Sequence, residues 1–474
     1  MLKHILKHDC RLLVVDKVLW LASLLIVLCV GYAVYNGATR AERWREDVSQ
    51  QFAKAQEALL KQKTIVEEIL AGKKSADEHP REGFPQSAQH AATLPPGPLA
   101  AFSIGQTDLY PYATSISLWK RDDNLFAKYQ VESPLSLLAG RFDFAFVIVY
   151  LLPLLIIALS YNLLSSEKEN GTLVLALSQP LRLRTLITGK VLMRLAFVLG
   201  LVVLLCVAGF FASGMRFNAP GMLGRFCLWV MVGAAYALFW FMLAAGVNTL
   251  GRGSETNATV LTCFWLAFVL IIPAILNLAV SAASPVPSRM QYVSSLRAAE
   301  NTATQIGNKL LASYYSDHPE LSANGAAAIP EWARKYYLVQ REIEDKTTSI
   351  LTDYEARLDR QQALVQKFRF LSPAIIAQEA FNEIAGAGLM RQRRFVLQTR
   401  EFLGSWQAML SPKLLAGARL QPADFDALPR FAFAEEPLAN VANRVWVGVL
   451  ALLLLTAALF GWSISALRRY SPAS

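Results

Sequence analysis

Six blocks of the chain lack Asp, Glu, Lys and Arg and are long enough to cross a bilayer: 18–36, 144–166, 195–215, 226–251, 258–288 and 445–467. Roughly 30 Å of hydrocarbon takes about 20 mainly apolar helical residues, because a helix satisfies its own backbone groups where water is absent. The spans so predicted are 18–36, 143–165, 195–215, 226–250, 258–281 and 445–467. The fifth stops short of Ser284, Pro285 and Pro287, which are loop chemistry.

Between these blocks the period changes. Trp44, Val48, Phe52, Ala55, Leu59, Val66 and Ile69 recur at three- and four-residue steps, so an amphipathic helix should continue straight out of the first span and end near Gly72. The stretch 73–98, with Pro80, Pro85, Pro95, Pro96 and Pro98, reads as an irregular linker. A second helical stripe runs from Pro330 to Phe370 through Trp332, Tyr336, Val339, Ile343, Ile350, Tyr354, Leu358, Val365 and Phe368. Another helix should start at Ser372-Pro373, a good cap followed by a good first-turn residue. Pro422, Pro429, Phe431 and Phe433 read as extended chain returning to the membrane. The expected fold is therefore an all-α membrane protein of about six spans, with a mainly helical extracytoplasmic domain built from two insertions, 37–142 and 284–441.

Composition agrees with a membrane protein, being 54% hydrophobic and 17% charged. Charge placement orients it. Lys3, Lys7, Arg11 and Lys17, then Lys168, Arg182, Arg184, Lys190 and Arg194, then Arg252, Arg468 and Arg469 cluster in the short segments expected to be cytoplasmic. Both termini should then be cytoplasmic, with 166–194 an inner loop and 468–474 an inner tail. The net charge of +10 is mostly this signal, since 37–142 carries 13 basic and 13 acidic residues and 284–441 carries 18 and 17. No nucleic-acid patch remains to be explained. Neither insertion contains a cysteine, so both must fold without disulfides. Block 18–36 is long for a signal-peptide core and lacks a convincing cleavage site, which favours a retained anchor.

The chemistry-bearing segment is the inner loop after the second span. Glu167 and Glu169 precede Gly171-Thr172, then comes the short apolar run Leu173–Leu177, and Ser178-Gln179-Pro180-Leu181-Arg182 closes it. Too short to span, the run needs another surface to bury against. Acidic residues favour the positive end of a helical turn started there, and Ser178 to Pro180 punctuates its finish. The bland reading is a solvated loop; the sharper one is a knob for a groove on a soluble partner.

This segment resembles the loop of type-2 ABC exporter permeases, matched by Glu167, Glu169, Gly171, Thr172, Leu173, Ser178, Pro180, Arg182, Gly189 and Lys190, with Leu177 ending the apolar run. The resemblance implies a coupling helix that docks on a separate ABC-type ATPase subunit, with ATP and Mg bound there and no cofactor on this chain. It further implies that 1–17, through Lys7–Lys17, is a cytoplasmic interfacial amphipathic helix ahead of the first span, and a dimer with a second copy or a paralogue, in a bacterial plasma membrane. The long insertions resemble a bacterial subgroup with large extracytoplasmic segments, leaving room for an extracytoplasmic protein partner. Thr188-Gly189-Lys190 lacks the glycine-rich lead-in of a nucleotide loop.

Other constellations are weak. His4, His8, His79, His90 and His318 have no metal-ligand spacing, and no hydrolase signature is present, so a non-catalytic subunit is expected. Pro153 and Pro273 inside spans imply bends, and Asn248 and Asn277 imply interhelical hydrogen bonds or a polar path. The competing function is a receptor or scaffold whose outer helices bind a partner without ATP-driven work.

Overall fold

The computed structural model describes residues 2–75, 78, 82–105, 107, 111–121, 142–172, 178, 183–317, 331–416 and 418–469. The chain is mostly helical, and six helices are long and apolar enough to cross a membrane. Helix α1 (Leu2–Val15) is followed by α2 (Lys17–Leu70), whose 54 residues make a rod of about 80 Å. The amphipathic stripe after the first span is thus one helix with it. It closes at Gly72, where φ is +71° and Gly72 N–H and Lys73 N–H return to the carbonyls of Ile69 and Glu68.

The linker expected at 73–98 needs correction, because Gln89–Thr93 (β1) pairs antiparallel with Ala113–Ser117 (β2). Among the described residues the fold is therefore helical with one two-stranded sheet. The return segment also differs: α12 (Pro422–Ala427) is a capped helical turn before the extended chain.

The remaining spans are α3 (144–160), α5 (Leu183–Ala212), α6 (Met222–Asn248), α7 (Ser254–Ala283) and α13 (Leu438–Arg469), with short α4 (Ser165–Glu169) between α3 and α5. Both α3 and α7 pass through a π-helical stretch just before their prolines, Val147–Leu151 before Pro153 and Leu266–Ile271 before Pro273. A proline has no N–H for the ladder, so carbonyls there need other donors. Tyr236 Oη donates to Val149 O at 2.9 Å, Trp265 Nε1 to Tyr150 O at 3.0 Å, and Ser372 Oγ to Phe268 O at 2.5 Å.

The last contact shows how far the second insertion reaches. It comprises α8 (Arg289–Asp317), α9 (Glu331–Phe368), α10 (Pro373–Ala385) and α11 (Leu389–Leu415). The stripe expected at 330–370 is α9, and Ser372 caps α10, accepting from Ile375 N–H at 3.3 Å with Pro373 in the first turn. Ser284 Oγ donates to Arg357 O at 3.5 Å, so α9 passes the C-terminal end of α7 at Arg357. Residues 357–372 and 268–284 each amount to about 23 Å of helix. Thus α9 runs antiparallel beside half of α7, turns at the level of its midpoint, and α10 climbs back. At the top Leu99 N–H meets Ala385 O at 3.2 Å, and a Cβ on Gly97 would lie 2.3 Å from that oxygen, which requires glycine.

One core joins the six long helices with α10; Trp229 and Phe381 meet at 4.4 Å in it. A second, smaller core gathers Trp44 of α2, the sheet and α11 around Trp406 and Phe402.

Candidate functional site

Helix α3 stops at Ser160 and the chain turns through 161–164 into α4, which leaves the last carbonyls of α3 without helical donors. Four side chains from three neighbouring helices donate to carbonyls at the end of α3 and in this turn. Arg194 of α5 donates to Leu159 O, and Asn248 Nδ2 of α6 to Ser160 O at 2.8 Å. Asn257 Nδ2 of α7 reaches Tyr161 O at 3.3 Å, and Lys190 Nζ of α5 reaches Leu163 O at 2.9 Å. Asn248 Oδ1 also accepts from Leu164 N–H at 3.3 Å. A buried polar group without a partner costs about 1–3 kcal/mol, so each of these bonds favours the elbow as it stands.

The elbow holds two of the candidate coupling residues. Glu167 Oε1 lies 2.8 Å from Lys190 Nζ, a cation that the helices bury. The Glu169 carboxylate accepts from Ser254 N–H at 2.6 Å and Ser254 Oγ at 2.8 Å, and so caps the start of α7. Lys168 Nζ donates to Gly251 O at 3.1 Å. Gly171, at φ +69°, ends α4, and Thr172 Oγ1 donates back to Glu167 O at 3.3 Å. Ser178 is exposed and helical. Leu173, Leu177, Pro180 and Arg182 lie outside the described residues.

Asn248 makes interhelical bonds, whereas Asn277 lines something the sequence reading did not find. A cavity of about 1050 Å³ lies between one wall of α8, α9 and α7 and another of α10, α11 and α13. Its walls are bridged by ion pairs: Arg400 with Glu355, Arg393 with Asp359, Arg369 with Glu379 at 2.9 Å, and Arg121 with Glu300 at 3.3 Å. Near the C-terminal end of α10, Arg444 of α13 holds Glu383 at 2.8 Å and Glu436 at 2.7 Å. The apolar stripe of α9 was legible in the sequence, but nothing there showed that Gln361 and Gln362 of the same helix line a cavity together with Leu358 and Val365. Among the described residues no group of three or more His, Cys, Asp or Glu is placed to hold a metal ion.

Residues 289–434 match the model of a family described as "Domain of unknown function (DUF3526)". The match runs from the start of α8 to the extended chain before α13, and it includes most of the cavity lining. No curated protein matches the chain.

Proposed function

We propose that this chain is the membrane-spanning permease subunit of an ATP-driven exporter of the type-2 ABC kind, paired with a separate ATPase subunit that binds ATP and Mg. The observation that carries the reading is the clamped elbow beside the motif-bearing loop. Arg194, Lys190, Asn248 and Asn257 tie the end of α3 to α5, α6 and α7, and Glu169 ties α4 to the start of α7. Force applied to the adjoining Leu173–Leu177 would therefore reach four spans together.

In this reading the chain sits in a bacterial plasma membrane with both termini and loop 166–194 in the cytoplasm, and both insertions form an extracytoplasmic domain. The inner cluster of Lys168, Lys190, Arg194 and Arg252 supports that orientation. The type-2 ABC reading brings with it a dimer, with a second copy of this chain or a paralogue.

The test is a Leu173→Ala, Leu177→Ala double variant in the complex with the ATPase subunit. Losing a buried anchor at an interface costs about 2 kcal/mol or more. Association and stimulated hydrolysis should fall far more than in Glu169→Gln, with thermal stability unchanged. Wild-type association and hydrolysis in the double variant would reduce the loop to a connector.

A further inference from the structure

We propose that the cavity between α9 and α11 is a water-filled slot that binds a short peptide carrying charges of both signs. This rests on reading the six long helices as spans, and not on the ATPase. The slot is lined along α9 from Leu351 to Arg369, a length of about 27 Å. Arg357 passes the C-terminal end of α7, and Ser372 meets Phe268 at its midpoint. A 30-residue span measures about 45 Å and the hydrocarbon about 30 Å, so the slot begins beyond the hydrocarbon edge and descends within it.

Charge follows the slot along its whole length. Glu355 and Arg400 pair beyond the end of α7, Asp359 and Arg393 pair near that end, and Arg369 and Glu379 pair at membrane depth. Ionisable side chains at hydrocarbon depth face one another or a water-filled space. Arg369 and Glu379 do both: they lie 2.9 Å apart, line the cavity, and keep 19% and 27% of their side-chain surface open. An apolar occupant would strip water from these charges, so the lining selects a polar one.

The class of ligand follows from the balance of the lining. Among the described residues it holds six arginines and five carboxylates, so neither a polyanion nor a polycation finds a large excess of the opposite charge. Along the same walls lie the carboxamides of Gln361, Gln362 and Asn277, none of which bonds to another described residue. A free carboxamide offers a donor beside an acceptor, the pair that a peptide group presents in return. Leu351, Leu358, Val396 and Leu397 add contacts for apolar side chains. Extended chain rises about 3.3 Å per residue, so the slot admits about eight residues. The ion pairs that bridge the walls do not bar it. Asp359 is 62% exposed, and exposed pairs of this kind contribute little net stability, so a ligand ammonium and carboxylate can replace the partners.

The experiment uses the full chain, freed of its native cysteines, in nanodiscs of phosphatidylethanolamine and phosphatidylglycerol, with one cysteine introduced at a time. Gln362→Cys and Gln366→Cys lie on the part of α9 beside α7 and line the slot. Leu28→Cys, at an exposed position on the apolar half of α2, is the lipid-facing control. A charged, membrane-impermeant methanethiosulfonate should modify the two slot positions rapidly and Leu28→Cys hardly at all. Complete reaction after denaturation checks that each thiol is present. The peptide probe is a pool of octapeptides randomised over Leu, Gln, Lys and Glu. At about 1 mM, which half-fills a site of millimolar Kd, the pool should slow modification in the slot at least about twofold. Pools without Lys or without Glu should protect less. Unreactive slot positions, or slot reactivity that the mixed pool leaves unchanged, overturn the proposal. So does equal protection by all three pools. Rapid modification of Leu28→Cys overturns the reading of the helices as spans, and the slot with it.

Discussion

His90 lies in the smaller core with its ring 5.9 Å from Trp406 and 5.6 Å from Phe402, and its Nε2 accepts the Phe431 N–H at 3.2 Å. Burial, aided by the charge of Arg430, holds its pKa below the ordinary 6.5. The unfolded chain then binds the proton more tightly than the folded one. The contribution of His90 to stability is complete above about pH 6.5 and is lost as pH falls below it. His90→Gln keeps an acceptor for Phe431 but cannot titrate. Thermal unfolding of the full chain in detergent, followed from pH 7.5 to 5, should therefore decline less steeply in the variant. Equal slopes would show that the ring titrates alike in both states. Nothing in the sequence marked this residue: a lone histidine beside prolines carries no sign of the aromatic residues, more than 300 positions away, that surround it. Arg194 was visible only as positive charge, and Lys190 as charge and as part of the loop motif. That they donate to carbonyls at the end of α3 and in the turn after it depends on where α3 breaks, and the apolar run gives no sign of that.

At the scale of elements, the 3.6-residue period located the long helices and misplaced some of their ends. Helix α5 begins at Leu183, twelve residues before the charge-free block, because Arg184, Lys190 and Arg194 end a hydropathy window without ending a helix. The sheet was illegible for a different reason. Gln89–Thr93 contains two alanines and no large apolar residue, and it gains its burial from contacts across the chain, which outweigh weak strand propensity. Ser372 was legible as a cap but not as a membrane-depth contact, since Lys367, Arg369 and Glu379 hide the α9–α10 hairpin from any hydropathy search. Its hydroxyl accepts from Ile375 N–H and donates to Phe268 O. Ser372→Ala removes both bonds and should lower the stability of the detergent-solubilised chain by about 2 kcal/mol, whereas Ser372→Thr should recover most of it. An alanine variant as stable as the parent would mean that the hairpin turn does not depend on that hydroxyl.

For the whole molecule, the number of spans and the positions of the insertions follow from apolar blocks alone, because bilayer thickness sets a length that sequence can be measured against. How the second insertion packs was not available by such a measure. Its helices settle against α6, α7 and α13 through the apolar core around Phe381 and through paired charges, and these depend on three-dimensional proximity. The orientation proposed above adds the sidedness of the charges to this count, and it has a direct consequence. In a cysteine-free background, Lys73→Cys and Ser294→Cys, both at exposed positions on the insertions, should react in intact cells with a membrane-impermeant maleimide. Asn170→Cys, exposed at the end of α4, should react only after the membrane is opened. Replacing five native cysteines is compatible with the fold, since none is in a disulfide and Cys206 is the one that is fully buried. If Asn170→Cys reacts in intact cells while the other two do not, the chain is inverted. The Leu173–Leu177 run would then face away from any cytoplasmic ATPase, and the transporter reading would lose its basis.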